Sequence, residues 1–243
     1  MKVLLAVLSF VWIFVHPVRA DLPAADSLLV NGDFASGDFT GWTLFTSDNG
    51  SLGTRPGLPS VTSFDTDGDG VFNSAAVFQV GEAAWLGSHQ PAGGGIRQFF
   101  VSAPGQLSVD LEIAVSSEMD ANDEAGIFSL FIDNTLLNAF NFESVTPDIP
   151  PYTTQRGKLS GSMYVDGGLH ELTIRIERPV LAGEETPRQY VDNIVAVIAI
   201  PEPGAALLVL LGLAVCLHPM ARSRISRSTS RLKNRGATRD SSG

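Results

Sequence analysis

The chain of 243 residues has a single cysteine, Cys216, and residues 21–200 contain none. Disulfides, thiol nucleophiles and cysteine-ligated metals are thereby excluded from that interval, which its core must hold together, alone or with a bound ion. Positive charge is almost as scarce. Residues 21–200 carry 24 Asp and Glu against 7 Lys and Arg, a balance of −17 within a whole-chain charge of −10. A nucleic-acid partner is excluded, because neutralising phosphates needs a basic patch. Only two histidines, His89 and His170, fall in the interval. No Gly-x-Ser-x-Gly, His-Glu-x-x-His or Gly-x-x-x-x-Gly-Lys pattern is present, and with them go the motif-bearing hydrolases, zinc proteases and nucleotide-binding loops. Sustained helical periodicity is also missing, which leaves strands as the building material.

What the chain does have in abundance lies first at its ends. Lys2, the apolar run Val3 to Val15 and the small-residue site Val18-Arg19-Ala20 read as a signal peptide over 1–20, cleaved after Ala20. At the other end, Pro201-Glu202-Pro203-Gly204 leads into the apolar run Ala205 to Leu217. Arg222, Arg224, Arg227, Arg231, Lys233, Arg235 and Arg239 follow. Thirteen residues at a helical rise reach roughly 20 Å, short of a hydrocarbon core of about 30 Å. The run spans only with flanking residues to about 220, and the arginines hold the following tail on the cytoplasmic side. This arrangement resembles the C-terminal sorting signal of PEP-CTERM proteins. The resemblance implies recognition by an exosortase-type processing enzyme at Pro201, Glu202 and Pro203, transient membrane contact through the short helix, and export toward exopolysaccharide. A lasting membrane anchor is the alternative. The organisation is thus a signal peptide (1–20), one folded domain (21–200), a sorting signal (201–220) and a basic, disordered tail (221–243).

Within the domain, Leu107, Val109, Leu111, Ile113 and Val115 alternate with polar residues, as do Leu172, Ile174 and Ile176, the period of half-buried strands. Asp133-Asn134 predicts a hairpin between Gly126–Asp133 and Leu136–Phe140, and Asp166-Gly167-Gly168 a turn between Met163–Val165 and Leu169. Further strands are expected at Gly41–Thr46, Ala75–Val80, Ile96–Val101 and Gln189–Ile200, with Gly93-Gly94-Gly95 as a flexible loop. About ten short strands with Gly, Pro and Asp turns make an antiparallel β-sandwich. Leu29-Val30-Asn31-Gly32-Asp33-Phe34, Gly37-Asp38-Phe39-Thr40-Gly41-Trp42 and the closing Gln189-Tyr190-Val191-Asp192-Asn193-Ile194 resemble the two ends of galactose-binding-like carbohydrate-binding modules. That resemblance implies a jelly roll, and a calcium ion tying first strand to last. Ala35 stands where that family often has Glu, although Asp192 is present.

Asp65, Asp67 and Asp69, with Gly68 and Gly70 between and after them, space carboxylates as a calcium loop does. The twelfth position is Ala76 rather than Glu, so this is no EF-hand; an acidic surface turn is the alternative to a structural calcium site. Sugar recognition needs exposed flat rings, for which Trp85, in the Gly-rich segment with His89 and Gln90, and Tyr152, beside Pro147–Pro151, are the candidates. Trp42 is expected in the core, His170 in packing or capping, and Glu112, Glu171 and Glu177 on solvated strand faces. The resulting expectation is an exported, non-enzymatic cell-surface or matrix protein associated with exopolysaccharide. A carbohydrate-binding module proper, using Trp85 and Tyr152 on surface glycans, is the first alternative. A polysaccharide-acting enzyme, needing a pair of buried carboxylates in a cleft, is the second.

Overall fold

Period-two alternation places one set of side chains on each face of a strand, and two such strand sets here close over a shared apolar interior. The computed structural model describes residues 27–85, 90–117, 123–145, 153–183 and 187–200. Ala20, Pro201, Glu202, Pro203, the apolar and basic segments after them, His89 and Tyr152 lie outside the described residues. The described residues contain no helix and fourteen strands. They begin with β1 (Thr43–Thr46), β2 (Gly50–Ser51), β3 (Ser60–Phe64), β4 (Asn73–Phe78), β5 (Gly81–Glu82), β6 (Ala92–Ser102) and β7 (Gly105–Ser117). There follow β8 (Asp123–Glu124), β9 (Ile127–Ile132), β10 (Thr135–Asn141), β11 (Ser144–Val145), β12 (Thr153–Val165), β13 (Gly168–Arg178) and β14 (Arg188–Ala199).

Sheet I has the order β1-β6-β13-β9-β10 and sheet II the order β12-β7-β14-β4-β3; β2–β5 and β8–β11 are separate two-stranded ribbons. Every strand pair is antiparallel. The chain crosses between the sheets from β6 to β7, β12 to β13 and β13 to β14, the winding of a jelly-roll sandwich. The expected inward residues Leu107, Val109, Leu111, Ile113 and Val115 from β7 and Leu172, Ile174 and Ile176 from β13 are buried, and Phe128, Leu130 and Ile132 from β9 join them in the same core. Each such side chain contributes about 1.5–3 kcal/mol by leaving water.

The opening segment seals one end of this core. Phe34 is fully buried, with its ring centroid 6.0 Å from that of Trp42 and 6.1 Å from that of Phe39. The Trp42 indole donates to the Asn31 carbonyl at 3.0 Å, which places Trp42 in the core as expected. Leu28 N–H donates to Ala196 and Ile194 N–H donates to Gly32, so the opening segment runs against β14. Gln98 holds it from the other sheet, accepting from Val30 N–H at 2.7 Å and donating to Val30 C=O at 2.9 Å.

Three local expectations meet different outcomes. Asp133 and Asn134 both take positive φ, 48° and 65°, the two-residue turn that joins β9 to β10 in the expected hairpin. Gly93-Gly94-Gly95 is not a flexible loop; it forms the first third of β6, paired with β13 on one side and β1 on the other. A Cβ at these positions would fall on the carbonyl oxygens of Ile176, Phe45 and Ile174 respectively, so the run is glycine because three backbones approach closely. β12 begins ten residues before the expected Met163, because it is the outer strand of sheet II and only Leu159 and Val165 need be buried along it.

Candidate functional site

The β6–β13 register also decides what faces solvent on sheet I. One row across the sheet runs Phe45, Gly95, Arg175 and Ser129; the next runs Thr43, Arg97, Thr173 and Phe131. Gly95, between Phe45 and Arg175 in the first row, carries no side chain. The result is a groove of about 340 Å³ lined by Phe45, Arg97, Phe131, Asn134, Glu171, Thr173 and Arg175.

Its polar groups are arranged around two guanidiniums. Arg175 stacks over the Phe131 ring, 4.7 Å from its centroid, and Arg97 lies 6.0 Å from the Phe45 centroid. Arg97 Nη1 is 3.7 Å from Glu171 Oε2, beyond hydrogen-bond length. Glu171 Oε1 accepts the Thr173 hydroxyl at 3.2 Å. Arg175 Nε is 3.2 Å from Glu177 Oε2 but out of line for a hydrogen bond. Both arginine side chains remain accessible, at 43% and 40%. A site with flat apolar walls and a few convergent polar groups suits a ligand with both characters.

The residues singled out in the sequence lie elsewhere. Asp65, Asp67 and Asp69 do converge, with carboxylate oxygens within 4.8 Å of one another. One oxygen of each already shapes the loop, accepting from Gly68 N–H at 2.7 Å, Asp69 N–H at 3.1 Å and Val71 N–H at 2.7 Å. The hydrogen bond from Asp69 N–H holds Asp67 below the ordinary aspartate value. Arg156 donates to the Asp65 carbonyl at 3.1 Å and to its Oδ2 at 3.4 Å. The loop is therefore capped by its own backbone and partly neutralised by a guanidinium, with the second oxygens of Asp67 and Asp69 left toward solvent. Trp85 follows β5 and is 53% exposed, and it does not line the groove. Glu171 does line it, whereas Glu112 and Glu177 do not.

Sequence reading passed over Phe45, Arg97, Phe131 and Arg175 because strand alternation gives each a face but not its cross-strand neighbours. It also gave no special weight to the row Lys158, Glu112 and Asp192 across sheet II. Glu112 accepts from Lys158 Nζ at 3.1 Å and from Asn193 Nδ2 at 2.7 Å. Asp192 is 1% exposed; its Oδ1 accepts from Asn193 N–H at 2.7 Å and its buried Oδ2 has no partner. Burial pushes the Asp192 carboxyl up to about 7, and the nearby charges of Glu112, Asp33 and Asp67 push the same way. Against the calcium that the family resemblance implies, the donor set is half present: Asp192 offers an unused oxygen, and Ala35 offers none from its side chain.

Asp192 generates a prediction whose sign is fixed. Its folded-state value lies above the ordinary 3.8, so the folded protein holds this proton longer and loses stability as pH rises from about 4 to about 7. Asp192→Asn is expected to remove that loss, gaining up to about 4 kcal/mol over the natural chain at pH 8 and converging with it near pH 4. Denaturant unfolding at the two pH values checks this, and an equal difference at both would refute it.

No protein-family model and no curated protein matches the chain. Solved structures resemble its fold. A CBM22 xylan-binding domain from Paenibacillus barcinonensis is 13% identical with a TM-score of 0.41, covering 73% of this chain and 97% of its own. A CBM61 domain in complex with β-1,4-galactotriose is 12% identical with a TM-score of 0.38, covering 72% and 100%. A putative sugar-binding protein from Bacteroides thetaiotaomicron is 9% identical with a TM-score of 0.36, covering 72% and 100%. What this chain has in common with them is the β-sandwich.

Proposed function

We propose that this chain is an exported, non-enzymatic glycan-binding protein whose groove across sheet I holds a strand of surface or extracellular polysaccharide. The observation that supports the reading is the groove itself. Phenylalanines line the trough, and guanidinium, amide, hydroxyl and carboxylate groups converge between them. A saccharide offers apolar C–H faces and a rim of hydroxyls, and this surface answers both. A single carboxylate, Glu171, lines the groove and is already bonded to Thr173, which supports binding over glycoside hydrolysis by a carboxylate pair. Trp85 and Tyr152 are a second place where glycan could be held.

Phe131→Ala and Phe45→Ala are expected to weaken retardation in polysaccharide affinity gels by about tenfold, the scale of losing one well-placed apolar contact. Trp85→Ala serves as the comparison. Loss of binding in Trp85→Ala alone would move the site away from the groove.

Export and processing belong to the same proposal, through the signal peptide ending at Ala20 and the PEP-CTERM-like signal at Pro201, Glu202 and Pro203 acting with an exosortase-type enzyme. The intact mass of the natively exported protein is expected to correspond to a start near Asp21 and an end near residue 200. Retention of Arg222 onward in the inner membrane would instead identify a lasting anchor. The convergence of Asp65, Asp67 and Asp69 within 4.8 Å supports a structural calcium ion as a lesser part of the reading. Calcium is then expected to release heat on titration and raise the melting temperature. Silence in both measurements removes it.

A further inference from the structure

We infer that the strand held in the groove is anionic, a polymer bearing uronic acid carboxylates, and that Arg97 and Arg175 are the residues that read them. The inference rests on the groove being the glycan site and adds the class of glycan.

Cations are the scarce resource of this domain, and their placement is informative. Of seven Lys and Arg in residues 21–200, two stand together in the groove. Arg97 lies opposite Thr173, two residues along β13 from Arg175, and such diagonal neighbours on paired strands are about 7–8 Å apart. Three of the others are committed to hydrogen bonds inside the fold. Arg156 bonds Asp65, Lys158 bonds Glu112, and Arg178 is fully buried and bonds the carbonyls of Glu124 and Val80. Among the described residues, Arg97 and Arg175 make no hydrogen bond from their guanidiniums. Glu171 and Glu177 stand beside them without occupying the forks.

The stacking geometry points the same way. A neutral sugar is commonly held by laying its C–H face on a bare aromatic ring. Here the Phe131 face carries the Arg175 guanidinium at 4.7 Å. A guanidinium against a ring keeps its charge; the Nε of both arginines is buried, which leaves the terminal Nη groups as the outward donors. The groove therefore presents guanidinium edges more than ring faces, and the edge of a guanidinium is the shape complement of a carboxylate, which it binds through two parallel hydrogen bonds.

The domain's overall negative charge opposes a polyanion at long range. At about 0.15 M salt the screening length is near 8 Å, so contacts within the groove decide the outcome, and binding is best measured there.

The experiment compares three polymers against the natively exported protein by titration calorimetry at that ionic strength: polygalacturonate, the same polymer with its carboxyls reduced to alcohols, and dextran sulfate. Polygalacturonate is expected to bind at least about tenfold more tightly than its reduced form, the scale of a hydrogen bond to a charged group. Arg97→Gln and Arg175→Gln are each expected to lose about tenfold on polygalacturonate with an unchanged melting temperature. Arg175→Lys should recover only part of that, because an ammonium has no fork. Equal binding of the reduced polymer, lost in Phe131→Ala, overturns the uronate inference and leaves the groove as a neutral-glycan site. Equal binding of dextran sulfate, insensitive to both arginine variants, reduces the effect to general polyanion attraction and also overturns it. If neither polygalacturonate nor its reduced form binds, the inference falls together with the groove reading. The natural chain compared on the two forms of one polymer decides the matter even where an arginine variant fails to fold.

Discussion

The pairing of β6 with β13 is the constraint on which the rest of the structure depends. It aligns Ile96 with Ile174 and Arg97 with Thr173 in alternation, so one register both fills the interior and sets the outer face. A slip of one residue would send Ile174 and Ile176 to solvent and Arg175 into the core. The glycine run at the start of β6 is what fixes that register mechanically. Gly93, Gly94 and Gly95 sit where backbone carbonyls of β13 and β1 leave no room for a Cβ, and no neighbouring stretch of β6 could take their place without a clash. With no cysteine in residues 21–200, this steric lock and the apolar interior carry the specificity that cross-links supply in disulfide-bonded domains.

Electrostatics in an acid-rich domain then becomes a matter of where carboxylates are allowed to stay charged. Asp133 is pushed up by burial, but hydrogen bonds from His170 and from Glu171 N–H outweigh this and leave it below its ordinary value. His170 gains from the same contact: the hydrogen bond to Asp133 at 2.6 Å raises it above the usual histidine value. Its second ring nitrogen faces the Asp166 carbonyl at 2.9 Å, so both nitrogens meet acceptors and the doubly protonated ring fits best. Its contribution is complete below the ordinary histidine range and is lost as pH rises through the raised folded-state value. Asp192 works in the same direction from the opposite cause, a carboxyl without a partner for one oxygen. The two together favour the folded domain at mildly acidic pH, until Asp133 begins to protonate.

Alternation was legible in the sequence wherever one face is buried and the other wet. The alternation of β7 and β13 and the position of the β9–β10 hairpin were therefore readable, and Trp42 was expected in the core. β12 was not, since an outer strand with two buried side chains in thirteen residues leaves no periodic trace. The glycine run misled because composition reports backbone freedom, whereas here glycine answers to crowding. The acidic loop was visible as a loop, but Arg156, 91 residues away, enters only through tertiary folding. The groove was invisible for the same reason: Phe45, Arg97, Phe131 and Arg175 come from four strands, and nothing local marks them as neighbours.

What separates the two groove arginines from Arg156 and Lys158 is the free energy of their resting state. A partly exposed cation–π contact is worth about 0.5–1 kcal/mol, whereas a hydrogen bond to a charged group is worth about 1.5–3 kcal/mol. A carboxylate arriving at Arg156 or Lys158 would have to displace an existing bond to Asp65 or Glu112, and the exchange would yield little. At Arg97 and Arg175 the resting carboxylates, Glu171 at 3.7 Å and Glu177 at 3.2 Å, are ion-paired without an aligned hydrogen bond, so an arriving carboxylate adds hydrogen bonds while the contacts with the phenylalanine rings persist. Glu171 is bound to Thr173 on one oxygen and faces Arg97 on the other, so it steadies the guanidinium without closing the fork. The rings are thus supports that hold two charges in readiness, and the difference in partner quality lets these two arginines gain more by binding an anion than Arg156 or Lys158 can.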